Sequence, residues 1–90
     1  MADHKHHAIS LVFIINGESY EVDANVNAAM VSAVEKALSI SGNTGRRDPA
    51  EWELRDSSGA FLEIGRKIGE LGLHDGSRLF LSLKVAAGGE

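Results

Sequence analysis

The sequence contains no cysteine. Disulfides, thiolate metal sites and a thiol nucleophile are therefore excluded. No apolar run reaches the roughly 18 residues of a membrane span, and the first residues are polar, without a signal-peptide core. Positive charge is not in excess. The formal net charge is −4, and only Arg46-Arg47 and Arg66-Lys67 form short basic pairs, which argues against binding nucleic acid by neutralising phosphates. These absences lead to the expectation of a soluble cytoplasmic protein with neither nucleic acid nor membrane as partner. What is present is a globular composition, 43% hydrophobic and 24% charged over 90 residues. That length suits one domain, which buries roughly 60–65% of its unfolded surface on folding.

The clearest local signal is a hairpin. Ile9 to Ile15 is rich in β-formers, Glu18 to Asp23 alternates, and Asn16-Gly17 lies between them. Asn-Gly suits a two-residue type I′ turn, whose two central positions both need φ > 0. The turn fixes the register: Ile15 faces Glu18, Phe13 faces Tyr20 and Leu11 faces Val22. Opposed residues share a face, so Ile9, Leu11, Phe13, Tyr20 and Val22 point to the core, and Val12 and Ile14 point away. Ala24 to Gly42 reads as a helix, with Asn25 or Asn27 as N-cap. Val26, Met30, Ala33, Val34, Ala37 and Leu38 form one apolar stripe, and Gly42 takes the left-handed closing position.

Residues 43–50 read as a loop carrying Pro49 and the arginine pair. It lacks the Gly-Lys-Ser/Thr ending of a phosphate-binding loop. Glu51 to Asp56 alternates, with Trp52 and Leu54 inward. A turn at Ser57-Ser58-Gly59 leads to a short strand over Ala60 to Ile64. Ile68 and Leu71 suit a turn of tight helix, and Leu73 is expected to plug the core behind it. After Asp75-Gly76, Arg78 to Val85 alternates as the last strand, with Leu79, Leu81 and Leu83 inward.

The most apolar inward faces belong to the first and last strands, which are expected to lie side by side, in parallel, joined by a right-handed crossover. The predicted fold is α+β: a β-grasp sheet of four to five mixed strands with one covering helix. Residues 1–8 form a lead-in, 9–85 the domain and 86–90 a narrow mobile tail. The histidines at positions 4, 6 and 7 read as part of a solvated tail, with no carboxylate cluster near them beyond Asp3. The far face of the sheet collects Val12, Ile14 and Phe80, and Ser82 and Lys84 continue the row toward the tail. This is the predicted partner-binding surface. No metal site, bound cofactor or catalytic group is expected, because Ser57-Ser58, His74 and Asp75 lack the spacing of a triad.

The element order over residues 9–89, and the ending Leu79-Phe80-Leu81-Ser82-Leu83-Lys84 followed by a small-residue linker and Gly88-Gly89, resemble the ubiquitin-like modifiers. The nearer likeness is to the bacterial multiubiquitin, or bacterial ubiquitination-like (Bub/Bil), group. It rests on the Asn-Gly hairpin, Asn43-Thr44-Gly45-Arg46, Trp52-Glu53-Leu54-Arg55-Asp56 and Asp75-Gly76. The resemblance implies a modifier used with an E1-like adenylating enzyme, an E2-like conjugating enzyme, a processing and deconjugating peptidase and target proteins, in a setting such as antiphage defence. Gly89 would be the conjugated terminus and Gly88 its neighbour in the enzyme's tunnel. Ala86 and Ala87 stand where ubiquitin has tail arginines. While Glu90 is attached, the Gly89 carbonyl is an amide and cannot be adenylated, so a cut at Gly89–Glu90 is expected first. Any of Lys5, Lys36, Lys67 and Lys84 could accept another copy to form chains, and the sequence does not choose among them. Two other readings share the fold: a sulfur carrier ending in a thiocarboxylate, and a noncovalent interaction domain.

Overall fold

The computed structural model describes residues 8–42 and 51–84. Strand β1, Ala8–Ile15, turns back into β2, Glu18–Asn25. Asn16 and Gly17 have φ of 53° and 83°, the pair of left-handed residues that a type I′ turn requires. The pairing Ile15↔Glu18, Phe13↔Tyr20 and Leu11↔Val22 follows. Helix α1 spans Met30–Ile40, β3 spans Trp52–Asp56, a 3₁₀ turn covers Ile68–Leu71, and β4 spans Ser77–Leu83.

The sheet order is β2-β1-β4-β3. As the sequence predicts, β1 and β4 are central and parallel, with Phe13 opposite Leu79 and Ile15 opposite Leu81. The two outer pairings are antiparallel. Helix α1 lays Met30, Ala33, Val34, Ala37 and Leu38 on one sheet face, where they bury with Leu11, Phe13, Ile15, Val22, Trp52, Leu54, Leu79 and Leu81. Among the described residues no polar or charged residue is buried. The indole Nε1 of Trp52 is the one buried side-chain nitrogen or oxygen atom among the described residues without a hydrogen-bond partner.

Four expectations need correction. The helix starts at Met30 and not at Ala24, because Ala24 and Asn25 extend β2 and Val26 lies half-buried ahead of the helix. Neither asparagine caps it: Asn25 Oδ1 instead accepts the Asn27 N–H at 2.8 Å. The first helical amides are met from a distance, Met30 N–H by the Arg66 carbonyl and Val31 N–H by the Ile64 carbonyl, both at 2.8 Å. The strand predicted over Ala60 to Ile64 reduces to one bridge between Arg55 and Phe61; beyond it the Ile64 carbonyl turns to the helix entry, as above. Leu83 follows the inward alternation yet is 40% exposed; it lies at the end of β4, opposite Trp52. Leu73 is half-buried and packs against the core beside Leu71.

Candidate interaction surface

The sheet face away from α1 has no covering layer among the described residues. The hairpin turn sets which side chains reach it. With Phe13 and Ile15 inward, Val12 and Ile14 must point out, and the parallel register places Phe80 beside Ile14. One row crosses the whole sheet: Ser19 on β2, Ile14 on β1, Phe80 on β4, Arg55 on β3 and Phe61 on the bridging segment. Phe80 is 41% exposed and Phe61 65% exposed. The Arg55 guanidinium carbon sits 4.6 Å from the centroid of the Phe61 ring, within reach of a cation–π attraction. Arg55 also meets Glu53 Oε1 at 3.4 Å. Above and below the row, Val12 lies between Glu21 and Arg78, and Ser82 lies opposite Glu53. The face is an apolar centre, Val12, Ile14 and Phe80, with charges of both signs around it.

The structure thus brings Val12, Ile14 and Phe80 together, with Ser82 one row along. Lys84 is exposed just past β4, its backbone N–H donating to the Glu51 carbonyl at 2.8 Å. Sequence reasoning missed Arg55 and Phe61 as part of this face. The alternation from Trp52 and Leu54 already turned Arg55 outward; the place of Phe61 depends on a single bridge that no periodicity announces. Of the lysines, Lys36 lies on α1 with Nζ 3.4 Å from the Asp23 carbonyl oxygen. Lys67 is exposed, and its backbone bridges Ala29. Lys5, Gly88, Gly89 and Glu90 lie outside the described residues.

A second, polar depression is lined by Asp56, Ser57, Ser58, His74, Ser77 and Arg78, among others. Its hydrogen bonds serve turns. The Ser58 hydroxyl donates to Asp56 Oδ1 at 2.7 Å, Ser77 Oγ accepts the His74 N–H at 3.0 Å, and His74 Nδ1 lies 3.4 Å from the Asp75 carbonyl. The Ser58 hydroxyl donates to Asp56 rather than to an imidazole, and the bond holds the local loop. Among the described residues no three His, Cys, Asp or Glu side chains gather as metal ligands. No described helix is long and apolar enough to cross a membrane.

Residues 4–89 match the model of a family described as a protein of unknown function, DUF2604. The chain belongs to the DUF2604 family. A curated relative, the uncharacterized protein y4jI of Sinorhizobium fredii (strain NBRC 101917 / NGR234), is 37% identical over 82 residues. That alignment takes in 90% of this DUF2604 chain and 62% of the relative, so the chain spans less than two thirds of that protein's length. Among solved structures, the chain resembles the ubiquitin of Caldiarchaeum subterraneum at a TM-score of 0.69 and 18% identity, covering 90% of this chain and 99% of that one. A ubiquitin-like domain from an Arabidopsis thaliana protein matches at a TM-score of 0.67 and 21% identity over 90% and 82% of the two chains. A de novo design based on ubiquitin matches at 0.74 and 17% identity over 89% and 93%. At these identities the likeness is one of fold. This DUF2604 domain has the ubiquitin-like β-grasp fold.

Proposed function

We propose that this domain is a protein modifier of the bacterial ubiquitination-like type, a substrate of conjugating enzymes and not an enzyme itself. The observation that carries the reading is the junction of a ubiquitin-like body with Gly88-Gly89, five and six residues beyond the end of β4 at Leu83. Glycine has no Cβ to collide with the walls of a narrow tunnel, and β4, the last described strand, is central in the sheet.

The chemistry then runs in steps supplied by partners. A peptidase hydrolyses the Gly89–Glu90 amide, and this cut is needed whatever follows Glu90. An E1-like enzyme joins the freed Gly89 carboxylate to the AMP moiety of ATP, with pyrophosphate leaving. An enzyme thiol or hydroxyl displaces AMP to give an ester, which passes to an E2-like protein. A target amine attacks that ester, forms an amide and releases the enzyme group. A reaction that consumes ATP suits the cytoplasm, where ATP is made. Lys5, Lys36, Lys67 and Lys84 are the amines that a second copy could modify. The sheet face built on Val12, Ile14, Phe80, Ser82 and Lys84 is the docking surface for these enzymes or for readers of the modified target.

Reconstitution with E1-like, E2-like and peptidase proteins of a bacterial ubiquitination-like pathway tests the reading. The expected result is a product in which Gly89 is joined to a target lysine, lost in Gly89→Ala. A gain of sulfur at Gly89 instead of an isopeptide identifies a sulfur carrier. Activity that survives deletion of residues 88–90 identifies a noncovalent β-grasp domain, a reading that the apolar sheet face independently favours.

A further inference from the structure

The ladder on the outer edge of β3 is interrupted. Asp56 N–H donates to the Ala60 carbonyl at 2.9 Å and Leu62 N–H to the Leu54 carbonyl at 2.8 Å. Continued, the same antiparallel pairing would set Glu63 opposite Glu53 and Ile64 opposite Trp52. Instead the Ile64 carbonyl accepts the Val31 N–H at 2.8 Å. Where the chain departs there is a cleft of about 400 Å³, lined by Trp52, Glu53, Leu62, Glu63 and Ile64 among others. Trp52 keeps unspent polar groups beside it. Lys84 N–H donates to the Glu51 carbonyl, so Glu51 faces β4. Trp52, one residue on, therefore turns its backbone N–H and C=O to the outer edge. Neither has a partner among the described residues. Its indole Nε1 is buried without an acceptor as well, in a residue only 5% exposed. Polar groups left unpaired in this way are costly, and three on one residue point to a missing partner.

We propose that this gap is a peptide-binding site, in which an extended segment of another protein sets an aliphatic residue opposite Trp52, preceded by Lys or Arg beside Glu53 and Glu63. The segment continues the ladder that residues 63–64 leave. Its aliphatic residue exchanges both backbone hydrogen bonds with Trp52 and packs on Leu62 and Ile64, both half-buried. Its entry brings carbonyl acceptors to the wall that holds the indole. The preceding residue falls on the other face, between the two carboxylates. Arg55 meets Glu53 at 3.4 Å with both side chains partly exposed, which leaves Glu53 open to a second cation. Lys84, which also lines the cleft, pairs with Glu51 instead, on the far side of Trp52. A second copy of the chain is the wrong occupant. Antiparallel pairing of β3 with β3 about Trp52 would set Glu51 against Glu53 twice, and like charges directly opposed destabilise a ladder.

The site needs neither the diglycine nor adenylation, so it stands apart from the conjugation reading. The probe is the capped peptide Ala-Ala-Lys-Val-Ala-Ala, titrated into the full chain. Trp52 is the only tryptophan, so its indole N–H resonance and its emission report on this cleft. The expected result is saturable binding that shifts the backbone and indole N–H of Trp52 and slows exchange of the backbone N–H. The same peptide N-methylated at valine loses the donor to the Trp52 carbonyl and does not bind. Glu63→Lys, at an exposed side chain, weakens binding by about tenfold or more, and unchanged β3–β4 amide shifts report that the sheet persists. Asp23→Lys, on the opposite edge strand β2, leaves binding unchanged. The proposal is overturned by equal binding of the N-methylated peptide, by equal binding of a peptide with glutamate in place of lysine, or by Trp52 resonances that stay unmoved as the peptide saturates.

Discussion

Asp56 shows how much a single side chain organises here. Its Oδ1 accepts the Ser58 N–H at 2.9 Å, the Ala60 N–H at 3.0 Å and the Ser58 hydroxyl at 2.7 Å. It thereby closes the turn that carries the chain from β3 toward Phe61. These bonds, the Ser58 hydroxyl first, hold its pKa below the ordinary 3.8. A carboxylate with a depressed folded-state pKa stabilises the fold fully above the ordinary value. The contribution is lost as pH falls through the lowered one. Urea unfolding of the wild type and Asp56→Asn should therefore differ at neutral pH, with the variant less stable, and converge in acid; a gap that stays constant into acid assigns the loss to shape and not to charge. At this scale the sequence was legible where chemistry is local. Asn16-Gly17 specified its turn because only residues tolerant of positive φ fit there. Leu83 was not legible, because alternation says which face a side chain takes and not how far the covering layer extends.

Elements were legible in type and less so in extent. The apolar stripe of α1 is correctly read, since its spacing is intrinsic to the helix. Its start is not, since the amides of Met30 and Val31 are satisfied by carbonyls more than thirty residues away. The same contact joins the helix entry to the 3₁₀ turn: Ile68 N–H donates to the Ala28 carbonyl at 2.9 Å and Gly69 N–H to the Val26 carbonyl at 2.8 Å. A Cβ added to Gly69 would lie 3.2 Å from the Val26 oxygen, tighter than an unstrained contact. Two further methyl groups in that gap would push apart the segment before α1 and the turn that supports it. Gly69→Val should lower stability by about 1–3 kcal/mol in chemical denaturation and increase hydrogen exchange at Met30 and Val31. Unchanged exchange there would mean that the helix entry holds without this support.

At the scale of the whole molecule, one face of the sheet makes the core and the other has no covering layer among the described residues. Leu79 and Phe80 are neighbours in β4 on opposite sides of that division: Leu79 is fully buried and Phe80 41% exposed. The apolar centre of the open face was readable from sequence because the hairpin register and the last strand's alternation each fix a side. Its Arg55–Phe61 flank was not, because a lone bridge leaves no period to read. The division makes opposite predictions for adjacent residues. Leu79→Ala should cost about 2–5 kcal/mol of stability through lost burial and a cavity. Phe80→Ala should cost less than about 1 kcal/mol, because its ring touches water already. If the face receives the conjugating enzymes, Phe80→Ala should weaken their binding about tenfold or more, as loss of an aromatic anchor does, while the thermal midpoint stays close to that of the wild type. Ile14→Ser, beside it in the row, should do the same. Binding and conjugation that both variants leave at wild-type levels would remove this face from the docking reaction, and the tail alone would then have to account for recognition.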